Sequence, residues 1–151
     1  MRVEIRPQPF APWREVGAHE DARIEAGGFG ACAVFVGSMR DFNDGEAVRR
    51  MSLEHYAGMT ERQLDRLARE AMARHGLLDL LLLHRVGALR PSDPIVLVAA
   101  WSAHRAAAFA ACREVMETLK STATFWKKET LRDRERWVEG NTPAVEINAK
   151  E

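Results

Sequence analysis

The sequence predicts a single-domain α+β protein in which two long helices cover a sheet. Two amphipathic helical segments, from Thr60 to Gly76 and from Ser102 to Lys120, are separated by two apolar stretches of strand length. No repeat, low-complexity tract or linker divides the 151 residues, and a chain of this length buries a large core by itself. We therefore expect one domain, residues 1–151, that ends in a loosely held tail over residues 139–151.

The first third of the chain predicts a strand, a short helix and two more strands. Arg2 to Arg6 alternates charged and apolar residues like an edge strand, and prolines then lead into a helix over Glu15–Glu25. A glycine-rich turn ends that helix, and the continuous apolar run Ala31–Val36 predicts a buried strand. A loop of turn-forming residues, Gly37–Gly45, leads to a further strand over Val48–Tyr56.

The middle of the chain predicts the two long helices and the strands between them. Thr60 and Gln63 match a capping box at the start of the first helix. Leu77–Val86 and Pro94–Trp101 predict strands joined by a long hairpin connection, although the leucine run alone fits a helix equally well. Ser102 is the predicted cap of the second helix. Its predicted inner face comprises Ala108, Phe109, Cys112, Val115, Met116 and Leu119.

Charge and cysteine usage exclude several functional classes. Lys and Arg total 22 and Asp and Glu total 22, so the net charge attracts neither nucleic acid nor an anionic membrane. Cys32 and Cys112 lie in apolar segments without a CxxC spacing, which indicates reduced, core-packed thiols and a cytoplasmic protein. Because no apolar run reaches the length of a membrane span and no short metal-ligand spacing occurs, we expect no membrane contact, no metal and no cofactor.

Cations near the predicted ends of the last helix mark a candidate anion site. His104 and Arg105 fall in its first predicted turn, where unpaired amides and the helix dipole favour phosphate. Lys120 lies at its other end, and Lys127 follows an aromatic pair whose desolvation can lower a lysine pKa. Arg40 occupies the middle of a glycine-bounded loop, a common place for binding groups. Each of these charges can equally be a solvated surface group, and spacing alone does not decide.

Ordered sequence blocks decide between these interpretations. The blocks are Gly37-Ser-Met-Arg-Asp41, Leu53-Glu-His-Tyr56, His84-Arg-Val-Gly87, Ser102-Ala-His-Arg105, Phe125-Trp-Lys-Lys-Glu129 and Trp137-Val138. Together, from Ile5 to Val138, they resemble the large, catalytic subunit of molybdopterin synthase, the MoaE family. One His-Arg pair would be weak evidence, whereas this many ordered blocks over nearly the whole chain is a specific signal.

The resemblance implies an α/β-hammerhead type fold with a mixed or antiparallel sheet. It also implies a homodimer of large subunits within a heterotetramer, each binding a small ubiquitin-like subunit, MoaD-like, whose C-terminal glycine carries a thiocarboxylate. The implied activity is that of a sulfurtransferase. Sulfur passes from the thiocarboxylate to cyclic pyranopterin monophosphate and forms the dithiolene of molybdopterin in molybdenum cofactor biosynthesis.

The resemblance further implies which residues form the site. It assigns catalysis to Lys120 and Lys127, with their division of roles left open. It assigns substrate binding to Ser38, Met39, Arg40, His104, Arg105, Lys120, Lys127, Lys128 and Glu129. An unbroken helix of about 1.5 Å rise per residue would hold Arg105 roughly 22 Å from Lys120. We therefore expect a composite pocket in which a second subunit supplies His104 and Arg105.

Two departures from the family pattern qualify this assignment. Thr124 stands where family members commonly have proline, which predicts a less restricted backbone ahead of the lysines. Gly140 and Asn141 stand where the family can carry a further basic residue. Two alternatives to the synthase stay open at this point: a non-catalytic dimeric scaffold for a ubiquitin-like partner, and an enzyme that acts on another phosphorylated heterocycle.

Overall fold

The structure, a computed structural model, describes residues 1–122 and 124–138. Its helices are α1 (Pro12–Arg23), α2 (Met59–His75) and α3 (Arg105–Thr122). Its strands are β1 (Arg2–Arg6), β2 (Ala31–Ser38), β3 (Phe42–Asn43), β4 (Glu46–Ala47), β5 (Arg50–His55), β6 (Asp79–Arg85), β7 (Gly87–Leu89), β8 (Pro94–Ser102), β9 (Phe125–Thr130) and β10 (Glu135–Val138). The expected tail over residues 139–151, with Gly140 and Asn141, lies outside the described residues. The α+β class predicted from the sequence is confirmed.

The first sheet has the strand order β1-β6-β8-β2 and is covered by helices on both faces. β1 runs parallel to β6 at the edge, and the other pairs are antiparallel. Leu80 and Leu82 of β6 pack with α2 and α3, whereas Leu81 and Leu83 belong to the core on the side of α1. Since successive strand residues face opposite sides, a strand buried on both faces reads as an unbroken leucine run. The run is therefore a strand and not a helix.

The second sheet has the order β10-β9-β5-β7, and all of its pairs are antiparallel. Its core contains Met51, Leu53, Leu89 and Leu131. β7 lies inside the connection that the sequence predicted as a plain hairpin loop, and it pairs with β5. The connection between β6 and β8 of the first sheet therefore also builds the edge of the second.

Three local predictions were wrong. α1 begins at Pro12 and ends at Arg23, earlier than expected, because proline is tolerated in the first turn of a helix. β2 is only partly buried, with Phe35 38% exposed, although its apolar run predicted a buried strand. Phe109 is 69% exposed and does not belong to the inner face of α3. The two exposed phenylalanines lie on one apolar surface. The helical periodicity of α3 does not distinguish a residue on this surface from a residue on the core face.

The predicted capping box serves a different purpose. α2 begins two residues earlier than a Thr60 cap requires, and the Gly58 amide donates to Glu61 Oε2 at 2.5 Å. Thr60 is fully buried, and its hydroxyl oxygen lies 2.9 Å from the hydroxyl oxygen of Thr124. The Thr124 hydroxyl donates a hydrogen bond to Gln63 Oε1 at 3.0 Å. Thr60 and Gln63 thus anchor Thr124, the residue expected to be less restricted, directly ahead of β9.

A buried carboxylate joins the start of β6 to α1. Asp79 pairs with the N-terminal ammonium, lies 3.1 Å from both His19 Nε2 and Arg23 Nε, and accepts from the Leu80 amide at 2.8 Å. Burial alone would raise the pKa of Asp79. The hydrogen bonds from the ammonium, the Leu80 amide and Arg23 outweigh burial and lower the pKa to about 2.

We expect Asp79→Asn to lower the free energy of unfolding at pH 7 by about 2 kcal/mol, since the native state favours the ionised carboxylate. A depressed pKa contributes stability above the unfolded-state value of 3.8, and that stability is lost as the pH falls towards 2. Urea titrations at several pH values test this. Asp65→Asn, at an exposed carboxylate paired with Arg69, is the matched control and should change little. A difference between Asp79→Asn and wild type that persists unchanged at pH 2 would contradict the assignment.

Candidate active site

A cavity of about 340 Å³ lies between the two sheets and the C-terminal end of α3. β2, β5, β6, β8 and β9 contribute to its wall, together with the loop after β2. Six of the nine residues assigned from the sequence line it: Ser38, Met39, Arg40, Lys120, Lys127 and Glu129. The fold therefore brings residues separated by about ninety positions into one cavity through the contact between its sheets.

Strand alternation decides which of the neighbouring cations on β9 enters the cavity. Lys127 and Glu129 are two positions apart and face the same side, whereas Lys128 faces the opposite side. Lys128 Nζ pairs with Glu135 and lies 5.8 Å from the centre of the Trp137 ring. The structure therefore does not bring Lys128 into the cavity with the other predicted binding residues.

Lys127 has an environment that favours the neutral amine. Burial lowers its pKa below the ordinary value, and the positive charges of Lys120 and Arg40 lower it further. The carboxylate of Glu129 acts in the opposite direction. A desolvated lysine next to other cations can serve as a nucleophile or as a proton donor, which matches the role expected of it.

Glu129 holds the structure around the lysines. It is 5% exposed, and its two oxygens accept hydrogen bonds from Asn43 Nδ2 and Arg136 Nε, each at 2.9 Å. Arg136 also donates to Glu46 at 2.7 Å, so the short hairpin of β3 and β4 is tied to β9 and β10. Both carboxylate oxygens already have protein partners, so the contacts of Glu129 fit a positioning role better than direct recognition of an anion.

The loop that carries Arg40 is fixed by its backbone. The Met39 amide donates to the Asp93 carbonyl at 2.9 Å, and the Met39 carbonyl accepts from the Ser92 amide at 2.8 Å. The Met39 side chain is buried in the core of the second sheet while it also lines the cavity. The Arg40 guanidinium lies 5.0 Å from the centre of the Phe42 ring, a cation–π contact that leaves its N–H groups available.

His104 and Arg105 lie away from this cavity. Both are exposed, and α3 runs without a break from Arg105 to Thr122, with Lys120 in its last turn. Ser102 is the buried end of β8, and its hydroxyl accepts from the His104 amide at 3.3 Å, so the helix starts later than a Ser102 cap would place it. One chain therefore does not place His104 and Arg105 beside the lysines.

His84 lines the cavity but was not assigned to the site from the sequence, although it begins the block His84-Arg-Val-Gly87. It ends a run of buried apolar residues on β6 and is itself 5% exposed. Its ring stacks on Phe125 with centroids 3.8 Å apart and planes 11° apart. The sequence signal for His84 was a polar residue that continues an apolar strand. The sequence does not show which face of that strand borders a cavity.

The cysteines and the other negative expectations concern the described residues only. Cys112 is buried and Cys32 half-buried, both are free thiols, and burial raises the pKa of each to about 11. Such thiols are poor nucleophiles at neutral pH. Within residues 1–122 and 124–138, no group of three or more His, Cys, Asp or Glu side chains is arranged to hold a metal ion. None of the helices there is long and apolar enough to cross a membrane.

Comparisons with known proteins identify the family and agree with the fold. The MoaE protein family model matches residues 13–122. The chain is 49% identical over 140 residues to the molybdopterin synthase catalytic subunit of Pseudomonas aeruginosa, which covers 93% of this chain and 91% of that protein. The solved MoaE protein of Burkholderia ambifaria is 44% identical with a TM-score of 0.77, covering 93% of this chain and 90% of that one. The molybdopterin synthase structure from Staphylococcus aureus has a TM-score of 0.81 at 28% identity, covering 92% and 98%. The chain therefore belongs to the MoaE family.

Proposed function

We propose that this protein is the catalytic subunit of a molybdopterin synthase, a sulfurtransferase of molybdenum cofactor biosynthesis. The observation that carries the proposal is the cavity in which Arg40, Lys120 and Lys127 converge without a cysteine in its wall. Such a site can neutralise and position an anion but has no thiol of its own that could donate sulfur. This matches a reaction in which the sulfur arrives on the thiocarboxylated tail of a partner and attacks cyclic pyranopterin monophosphate.

In this scheme the cations stabilise charge as it moves. Arg40 presents a planar fork of donors suited to phosphate oxygens. Lys120 and Lys127 attract the anionic thiocarboxylate and stabilise the oxygen that leaves when the cyclic phosphate opens. The lowered pKa of Lys127 also allows its neutral amine to attack the carbonyl carbon of the thioester that sulfur transfer leaves. An amide bond to the tail then forms, the carbon–sulfur bond breaks, and the sulfur stays on the pterin and takes up the proton of the amine. Glu129 holds β9 so that Lys127 stays aimed at the reacting carbon.

We propose that a second copy of the chain completes the pocket with its His104 and Arg105. A groove of about 290 Å³ runs between β2 and α3, lined by the exposed Phe35 and Phe109 among others. Phe35 and Met116 line both this groove and the lysine cavity. A copy that covers the groove therefore lies beside the cavity, and burying exposed phenylalanines favours that contact.

The other expected partner is a small ubiquitin-like subunit, MoaD-like, that delivers its C-terminal thiocarboxylate to the lysine cavity. Two such subunits on a dimer of large subunits form the proposed heterotetramer. A cytoplasmic location is part of the proposal, and the two free cysteines support it because reduced thiols are typical of that compartment.

Reconstitution tests the proposed function. We expect the purified chain, mixed with a thiocarboxylated small subunit and cyclic pyranopterin monophosphate, to form molybdopterin, detected as its fluorescent oxidation product. A small subunit with an ordinary C-terminal carboxylate is the control and should give no product, since it carries no sulfur to transfer. Wild-type protein that binds the thiocarboxylated subunit and the pterin phosphate but forms no product would refute the proposal and favour a scaffold role.

A further inference from the structure

His84 occupies the wall of the lysine cavity but has no role in the scheme above. Its ring stacks on Phe125, which precedes Lys127 by two positions and lies on the same face of β9. The imidazole and the Lys127 side chain therefore border the same space. A nearly buried polar ring in the wall of a small cavity either bonds to the protein or is available to whatever the cavity binds.

The hydrogen bonds of His84 define its protonation. Nδ1 lies 2.8 Å from the Arg85 carbonyl oxygen, which can only accept, so Nδ1 carries the proton and Nε2 carries the lone pair. Burial lowers the pKa of His84 to about 4, and the charges of Lys127 and His55 add to this effect against the Arg85 hydrogen bond. In the described ranges, 1–122 and 124–138, no hydrogen bond uses Nε2. The cavity thus contains a neutral acceptor at physiological pH.

Besides His84, the side-chain acceptors in the wall of this cavity are the Ser38 hydroxyl, the Asn43 amide oxygen and the Glu129 carboxylate. When they are charged, the side chains of Arg40, Lys120 and Lys127 donate hydrogen bonds and cannot accept them. Glu129 already accepts from Asn43 and Arg136 with its two oxygens. A bound heterocycle with ring N–H or amino groups must nevertheless find acceptors for them, since a buried donor without a partner weakens binding.

We propose that Nε2 of His84 accepts a hydrogen bond from an N–H group of the heterocycle in the lysine cavity and so helps to determine specificity for it. The inference rests on the proposed function, because it takes the pyranopterin phosphate as the ligand. The cations recognise the phosphate, and His84 recognises the ring. The two parts of the ligand are therefore separable in a binding experiment.

Calorimetric titration of the full chain at pH 7 tests this with two ligands, the pyranopterin phosphate and inorganic phosphate. His84→Phe retains a ring that can stack on Phe125 but removes the acceptor, and we expect it to weaken binding of the pterin phosphate about tenfold. His84→Gln retains an acceptor and should stay within about threefold of wild type. Inorganic phosphate has no ring N–H group and should bind wild type and His84→Phe equally.

His55→Phe is the matched control. His55 also lies near Phe125, with ring centroids 6.4 Å apart, but it bonds to Glu61 and does not line the cavity. It should bind both ligands like wild type. Equal weakening of both ligands in His84→Phe would indicate a merely structural role and overturn the inference, as would wild-type affinity for the pterin phosphate in that variant.

A measurement on the unaltered protein decides the case if His84→Phe does not fold. In ¹⁵N NMR of the imidazoles, we expect the His84 Nε2 resonance to shift when the pterin phosphate saturates the cavity and to stay in place with inorganic phosphate. No shift in wild type that binds the pterin phosphate would overturn the inference and leave the proposed function intact. Wild type that does not bind the pterin phosphate would overturn both.

Discussion

Lys127→Ala is expected to reduce the rate of molybdopterin formation at least a hundredfold, the typical loss when one preorganised donor at a developing charge is removed. Lys127 is the cation of β9 that faces the cavity, and its lowered pKa arises from burial and from Lys120 and Arg40. The change removes an amine from the site but leaves the β5–β9 pairing intact, because strand pairing uses the backbone. Single-turnover assays with saturating thiocarboxylated small subunit measure the loss.

Lys128→Ala is the matched control for this prediction. It deletes the same side chain from the next residue of the same strand, but Lys128 pairs with Glu135 on the opposite face. The ion pair is partly solvated and contributes little to stability, so activity should stay within about threefold of wild type. Equal losses in the two variants would show that activity requires positive charge on β9 in general and does not depend on one specific lysine.

Mixing two inactive variants is expected to restore activity if the pocket is composite. Arg105→Ala and Lys127→Ala homodimers should each be at least a hundredfold impaired, since each lacks one side of every pocket. In a mixed dimer, one pocket carries both substitutions. The other pocket combines the unaltered Lys127 of the Arg105→Ala chain with the unaltered Arg105 of the Lys127→Ala chain. Random exchange of equal amounts makes half of the dimers mixed, which predicts about a quarter of wild-type activity.

The exchange experiment needs a check on subunit mixing. Differently tagged variants can be dissociated, recombined and separated, and mixed dimers isolated in this way should have about half of wild-type activity. Arg105→Ala combined with Lys127→Ala on one chain, mixed with wild type, gives the reverse arrangement and should show no functional pocket in the mixed dimers. Activity that does not rise on mixing the single variants would contradict a pocket that combines Lys127 of one chain with Arg105 of another.

The sequence predicted the frame of the fold well where periodicity was unambiguous. The stripe of α2 and the edge strand β1 both occur, because an alternation of apolar and polar residues leaves a pattern in the sequence. The apolar runs of β6 and β8 are strands as expected, although the leucine run of β6 alone fitted a helix equally well. β7 was missed because three residues form no pattern of their own. Phe109 was wrongly assigned to the core face of α3, because the sequence pattern does not distinguish an exposed apolar residue at a contact surface from a core residue.

The candidate site was predictable as a set of residues but not as a geometry. The resemblance named Lys120, Lys127 and Arg40, which the cavity unites. It also named Lys128, which strand alternation turns away, and it did not assign to the site His84, whose neighbours come from another sheet. Which side of a strand borders a cavity depends on how two sheets meet, and the local sequence carries no record of that contact.

Because Thr124 is anchored to α2, the order of β9, the strand that carries Lys127, depends on that helix. A proline at this position would restrict the backbone in the folded and the unfolded chain alike. The hydrogen bonds of Thr124 to Thr60 and Gln63 exist only while the first turn of α2 is docked. Fraying at that turn therefore removes the side-chain hydrogen bonds of Thr124, and only the pairing with β5 and the stacking of Phe125 on His84 then hold the start of β9. We therefore expect the order of the chain ahead of Lys127 to depend on the local folding of α2.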